Sequence, residues 1–297
     1  MTKIQRAFFE LHIAVVLWGF TAILGHLIQL SALTLVWWRL FITCSVVLLR
    51  GGIFAEIQKM PRKLILKYIW AGILVTMHWI CFYAAIKLAN ASVALICLAT
   101  TSFQSALLEP LMTGQRIKWY EVALGVLIVP GMVYIAGDLP SSMTAGLWVG
   151  MMSSVFVVVF SILNKKLIDK AEPMAITLIE LGGGLAFLTI LMPFYLEMDA
   201  KAEFFPHPSD WFYLIILAVF CTNVAYWLSL RSLKHLSAFA TNLTINLEPV
   251  YGITLAWLLL HENKQLTPSF YIGASMILIA VLSYPILRGR FELNDER

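Results

Sequence analysis

The chain has 297 residues, of which 60% are hydrophobic and 13% charged, and its mean hydropathy is +0.83. Soluble domains carry about 25% charged residues, so these values exclude a soluble globular protein and indicate an integral membrane protein. The net charge of +4 gives no reason to invoke nucleic acid.

A helix needs roughly 20 apolar residues to cross the hydrocarbon of a bilayer, and the sequence predicts ten such spans. They run over 12–28, 32–50, 67–87, 91–113, 119–136, 144–163, 172–196, 211–231, 236–260 and 268–287. The first span is flanked by Lys3 and Arg6, lacks a small-residue cleavage site and precedes nine more, so it reads as retained rather than as a signal peptide. The longest gaps, 51–66 and 197–210, are too short for a soluble domain, and there is no P-loop phosphate-binding motif. The expectation is therefore no ATP hydrolysis by the chain, with no ATPase subunit evident. Cys44, Cys81, Cys97 and Cys221 all fall inside spans without metal-ligand spacing and read as small packing residues, with no metal site and no cofactor expected.

Placing the N-terminus in the cytoplasm puts 17 of the 21 Lys and Arg residues on the inner side, leaving Lys87, Lys201 and Lys264 outside and Arg39 within a span. This positive-inside bias predicts that both termini are cytoplasmic. Trp37, Trp38, Trp70, Trp119 and Trp211 fall near span ends, as an interfacial belt of aromatic residues requires.

The two halves are alike. "LMTGQRIKWYEVALGVLI" aligns with "LLLHENKQLTPSFYIGASMILI", setting Gln115 opposite Glu262 and Gly125 opposite Gly273 at offsets of 147 and 148. An offset of half the chain suggests two five-helix repeats, 1–140 and 141–297. Five is odd, so the second repeat enters the membrane in the opposite sense. Inverted repeats of this kind build secondary transporters, with the substrate site at the repeat interface near the bilayer midplane.

Several segments carry a family likeness: "AVVLWGFTAILGH" in the first span, "LTLVWWRLF" entering the second, "GQRI" closing the fourth, "GLWVGMMSSVFVVVFSILNKK" opening the second repeat and "LEPVYGITLAWLLLHE" in the ninth. In these the chain resembles the drug/metabolite transporter superfamily, specifically the ten-helix EamA-type transporters, over essentially its whole length. It differs in having His26 where such families often carry a Lys, and Gln115 where they carry a Glu. The resemblance implies an exporter or exchanger of small metabolites, amino acids being common.

Ionisable groups at membrane depth are costly, by about 2.5–3.5 kcal/mol at a helix centre, so each is a functional candidate. Glu248 and His78 fall near mid-depth, Glu180 about a third in from the cytoplasm, Arg39 about a third in from outside and Glu109 nearer the cytoplasmic end. Helical spacing puts Thr241, Thr244, Glu248 and Gly252 on one stripe, and Asn242, Asn246 and Pro249 on another face. Pro249 offers no N–H to the Ile245 carbonyl, so a kink is expected there, as at Pro110 in the fourth span. Glu248 reads either as a substrate-ammonium or proton site on the pathway, or as a hydrogen-bonded residue stabilising a kinked helix. Glu180 adjoins a "GGG" run where another helix can approach closely, and reads as an inter-helix hydrogen bond or a site. His78 is a satisfied core residue or a proton shuttle. Arg39 pairs with a carboxylate, holds an anionic substrate group or snorkels. Trp18, Asn223 and Tyr226 are expected cavity walls, and Gly146-x-x-x-Gly150 a packing motif.

The leading expectation is an all-α, multi-pass protein of the cell membrane, its partners a small-molecule substrate and the lipid bilayer, exporting or exchanging amino-acid-like solutes by alternating access. The oligomeric state is left open to a homodimer. A structural or assembly protein without transport is a second class. An intramembrane enzyme is a third, against which stand the absence of an intramembrane Asp pair, of an H-E-x-x-H motif and of a G-x-S-x-G elbow.

Overall fold

The computed structural model describes residues 2–49, 51–114, 119–167, 170–199, 202–233, 235–236 and 244–295, and all regular structure among them is helical. The helices are α1 (Lys3–Leu27), α2 (Ala32–Leu48), α3 (Ile53–Gln58), α4 (Arg62–Leu88), α5 (Ala91–Ala99), α6 (Thr101–Thr113), α7 (Trp119–Asp138), α8 (Thr144–Lys165) and α9 (Pro173–Met198). They continue with α10 (Pro208–Ile215), a π-helical stretch (Ile216–Val224), α11 (Ala225–Leu233), α12 (Glu248–Leu260) and α13 (Pro268–Asp295). Five helical segments are long and apolar enough to cross a membrane: Lys3–Leu27, Arg62–Leu88, Ser141–Lys165, Pro173–Met198 and Pro208–Ser229. The bent pair α5–α6 makes a sixth, and shorter apolar helices lie at Ala32–Leu48, Ile128–Asp138, Glu248–Leu260 and Pro268–Ala280.

Local chemistry sets the starts of these helices. Thr2 and Gln5 form a reciprocal capping box on α1, with Gln5 N–H donating to Thr2 Oγ1 over 3.2 Å and Thr2 N–H donating to Gln5 Oε1 over 2.9 Å. Glu172 takes the Met174 and Ala175 amides at the start of α9, and Pro173 follows it in the first turn, where its missing N–H costs nothing. The gap 51–66, too short for a soluble domain, contains α3, which packs against α9.

Three spans are not the continuous helices the apolar runs suggest. The fourth bends by 40° between α5 and α6. The bend is at Thr100, ten residues before Pro110, which lies within α6 without a break. Thr100 Oγ1 donates to the Cys97 carbonyl over 2.6 Å and Thr101 Oγ1 to the Leu98 carbonyl over 2.7 Å, so hydroxyls stand in at the turn. The eighth span contains the π stretch, where Thr222 Oγ1 donates to the Leu217 carbonyl over 2.8 Å and Asn223 Nδ2 to the Ala218 carbonyl over 3.1 Å. The ninth is not a kinked continuous helix: α12 begins at Glu248, with Pro249 in its first turn. A proline in that position occupies a helix start rather than bending a helix interior. The offset that aligns Gln115 with Glu262 also aligns Thr101 with Glu248, so the two breaks are equivalent in the two halves. Gln115, Thr241 and Asn242 lie outside the described residues.

Contacts between the halves are close. α1 packs on α12 and α11, α4 on α8 and α9, and α7 on α13. A Cβ on Gly19 of α1 would sit 2.9 Å from the Gly252 nitrogen of α12, and one on Gly72 of α4 would sit 1.9 Å from the Glu180 carbonyl oxygen of α9. The "GGG" run does receive a neighbour, since Gly183 faces Ile69 and Gly184 faces Thr76. Small residues let helix backbones meet where lipid offers no hydrophobic drive for association.

Candidate functional site

The two helix breaks and the π stretch surround a pair of adjoining cavities. One, of about 390 Å³, is walled by Trp18 and Thr21 of α1, Arg39 of α2, Trp79 and Phe82 of α4, Asn164 of α8, Glu180 of α9, Thr222, Asn223 and Tyr226 of the eighth span, and Glu248. The other, of about 370 Å³, runs along Thr101, Ser102 and Ser105 of α6, Asn246 and Pro249 to Glu109 and Lys165. His78, Leu98, Val157, Ser161, Ile245 and Glu248 line both. Lys165 Nζ meets Glu109 Oε1 at 2.9 Å, and the lysine side chain is largely exposed, so the second cavity reaches the surface at that end of the bundle.

Glu248 stands where the cavities meet, in the first turn of a helix that begins there. The positive end of the helix dipole favours a carboxylate in such a position. Asn246 lines the second cavity beside it. Continuous helical spacing would have pointed the two in different directions, and the turn at Asn246 and Leu247 brings them to one cavity.

Arg39 is 4% exposed. Its Nε donates to Thr222 Oγ1 over 3.1 Å, one guanidinium nitrogen donates to Tyr83 Oη over 2.8 Å, and its Cζ stacks 3.8 Å from the centre of the Trp79 ring. Of the three roles expected for it, snorkelling is excluded by burial. Among the described residues no carboxylate lies within ion-pair distance of it, so direct pairing is also not what the structure shows. Thr222 lies in the π stretch, where its Oγ1 donates to the Leu217 carbonyl five residues back and accepts from Arg39; π-helical turns are often found at functional sites.

His78 is buried against α8. Its Nδ1 lies 3.0 Å from the Ser153 carbonyl oxygen and 2.9 Å from Ser153 Oγ, which itself donates to the His78 carbonyl over 2.9 Å. A ring nitrogen facing a carbonyl carries the proton, leaving Nε2 as the acceptor. His78 is thus both anchored in packing and part of the wall of both cavities. Glu180 is 5% exposed, and its Oε1 has no hydrogen-bond partner among the described residues. The close α4–α9 approach is made by its backbone against Gly72, not by that oxygen. Asn164 Oδ1, in the same cavity wall, is likewise without a partner. Buried polar atoms without partners are uncommon and call for an explanation.

Trp18, Asn223 and Tyr226 line the cavity with Arg39. Pro110 does not take part in either cavity wall. Thr21, Asn164 and Thr222 also line the Arg39 cavity and Ser153 holds His78, four residues outside the sequence expectations. Thr21 follows Trp18 by one helical turn and was detectable by spacing; Thr222 depends on the π register, which leaves no periodic trace.

The EamA-like transporter family matches residues 7–137 and again residues 144–284. The chain belongs to that family. Among described residues no group of His, Cys, Asp and Glu could hold a metal ion. A solved structure titled only "Crystal structure of protein" is 17% identical, with 96% of this chain and 98% of that chain covered at a TM-score of 0.64; this likeness concerns the fold alone. No curated protein matches the chain. The duplicated family match and the apolar helices make this a multi-pass membrane protein and, at the level of the family, a membrane transporter of small solutes.

Proposed function

We propose that this EamA-type protein is a secondary transporter that exports or exchanges small amino-acid-like solutes across the cytoplasmic membrane by alternating access. In this reading it has ten spans in two inverted five-helix repeats, 1–140 and 141–297, with both termini cytoplasmic. The observation that carries it is the cavity between the halves, in which a buried guanidinium whose hydrogen-bond partners among the described residues are neutral shares walls with two carboxyl groups, Glu180 and Glu248. A solute with an anionic group and an ammonium group fits such a site, the first against Arg39 and the second against the carboxyls. The aromatic walls of Trp18, Trp79 and Phe82 suit an apolar body between them.

Glu248 and His78, which line both cavities, are the proposed proton carriers if transport is coupled to a pH gradient. Asn223, Tyr226 and Asn246 are proposed walls of the pathway, as is Asn242, for which support rests on sequence. The test is a panel of solutes presented to purified protein in proteoliposomes, with and without a pH gradient. Uptake of amino acids above protein-free vesicles is the expected result; no flux of any panel member would point to a membrane protein without transport.

A further inference from the structure

At the end of the bundle away from Glu109 and Lys165, one carboxylate ties the two halves together. α12 closes at Leu260, and His261, with φ at 54°, is the sole non-glycine residue of positive φ among the described residues. The turn it makes leaves Glu262 1% exposed. Glu262 Oε1 accepts from the Ala91 amide over 2.8 Å, and Oε2 accepts from the Ser92 amide over 2.8 Å and from Ser92 Oγ over 2.6 Å. These are the first amides of α5, which the helix itself cannot satisfy. Asn90, the cap residue of α5, already takes the Val93 amide over 2.8 Å, so Glu262 completes the helix end from the other half of the chain.

The position of this contact gives it a consequence for transport. α5 runs from Ala91 to the break at Thr100, where Leu98 and Ala99 line the cavities, and α12 runs from Glu248 at the cavities to Leu260. Glu262 therefore joins the far ends of the two broken spans whose near ends form the site. At the same end Lys87 Nζ donates to the Ile28 carbonyl, and the Gln29 amide donates to buried Asp210 over 3.1 Å. The exposed Lys165 puts the surface end of the second cavity at the opposite end.

We propose that Glu262 is a latch, a positioning residue for the transport cycle whose carboxylate holds closed the mouth opposite Glu109 and Lys165. This rests on the reading of the chain as an alternating-access transporter. Opening the second mouth requires α5 and α12 to part there, and the three bonds to Glu262 are what must break. In sequence register the equivalent of Glu262 in the first half is Gln115, which carries no charge. The anionic latch therefore belongs to one mouth, and it biases the resting protein towards the state closed there.

The experiment places spin labels at Leu88 and Lys264, both exposed and flanking the latch, in full-length protein whose four buried cysteines are replaced by alanine, and records the distance distribution without added solute. Charge-assisted hydrogen bonds are roughly twice as strong as neutral ones, so Glu262→Gln is expected to raise the ratio of long to short separations about tenfold. Ser92→Ala, which removes one neutral donor, is expected to raise it about threefold. A residue that merely stabilised the fold would lower the unfolding temperature and leave the ratio unchanged. Folded Glu262→Gln with an unchanged distribution overturns the proposal; if that variant does not fold, an unchanged distribution in Ser92→Ala overturns it. The readout needs no solute, so unchanged distances with intact flux would retire the latch alone, whereas Glu262-dependent opening without flux would retire the proposed solute and keep the latch.

Discussion

The breaks in the fourth and ninth spans occupy equivalent places in the two halves, yet they are built differently. In the first half, the bend at Thr100 is stitched by hydroxyls and an amide: Thr100 and Thr101 return to carbonyls one turn back, and Gln104 Nε2 donates to Thr100 Oγ1 over 3.0 Å and to Ser154 Oγ over 2.7 Å. In the second half, the helix starts on a carboxylate and a proline, Glu248 and Pro249, with Asn246 before them. The first break is held by neutral groups, with the hydroxyls bonded locally and the Gln104 amide reaching Ser154 of α8 while its Oε1 has no partner among the described residues; the second leaves a titratable group at the junction of two cavities. The two halves thus carry a break at the same register, and the second alone sets an ionisable side chain at it.

The largest effect should come from removing that chemistry. Glu248→Gln keeps the shape of the side chain and the helix start but removes the charge, and it is expected to abolish pH-gradient-driven uptake while expression and unfolding temperature stay near those of the parent. Unchanged coupling in proteoliposomes would remove Glu248 from the mechanism and make the two breaks equivalent after all. A smaller effect, on stability, is expected where α1 supports the same break. A Cβ at Gly19 would meet the Gly252 nitrogen at 2.9 Å and the Glu248 carbonyl oxygen at 3.2 Å, contacts with backbone that cannot rotate away. Gly19→Ala should therefore cost about 1–3 kcal/mol, read as a lowered unfolding temperature in detergent.

Much of this was legible in the sequence. Long apolar runs mark helices because the bilayer demands internal satisfaction of every backbone group, and the half-chain offset exposed the duplication. The isolated polar residues Arg39, His78, Glu180 and Glu248 were detectable because each is anomalous against an apolar background, and the fold does bring all four to one cavity. The breaks were not legible in the same way. Thr100 looks like any small polar residue in an apolar run, since the stitching by hydroxyls depends on local geometry. Pro249 predicts a kink because proline signals a missing N–H without saying whether the residue lies within a helix or at its start. That ambiguity also separated Glu248 from Asn246, which the turn between them reunites.

At the first break, Gln104→Ala removes two hydrogen bonds from a buried amide to Thr100 and Ser154. Each such bond contributes about 0.5–1.5 kcal/mol net, but the hydroxyls of Thr100 and Ser154 retain other partners, so the expected loss is about 1 kcal/mol. Flux should remain within about twofold of the parent if the break supports the wall without touching the solute. A loss of transport comparable to that of Glu248→Gln would show that the first half carries chemistry as well.

The smallest effect, and the one that separates the two readings of the ninth span, is expected from Pro249→Ala. Were Pro249 inside a continuous helix, its replacement would restore a missing hydrogen bond and relieve a clash worth about 3 kcal/mol, so the variant would be markedly more stable and straighter. With Pro249 in the first turn of α12, its nitrogen has no carbonyl to serve, and its ring contributes only by restricting the unfolded chain. Alanine should then destabilise the protein slightly, by about 0.4–1 kcal/mol, and leave Glu248 where it is. The sign of the change in unfolding temperature decides between them: a small decrease places the proline at a helix start, and with it the carboxylate at the mouth of a helix rather than on its side.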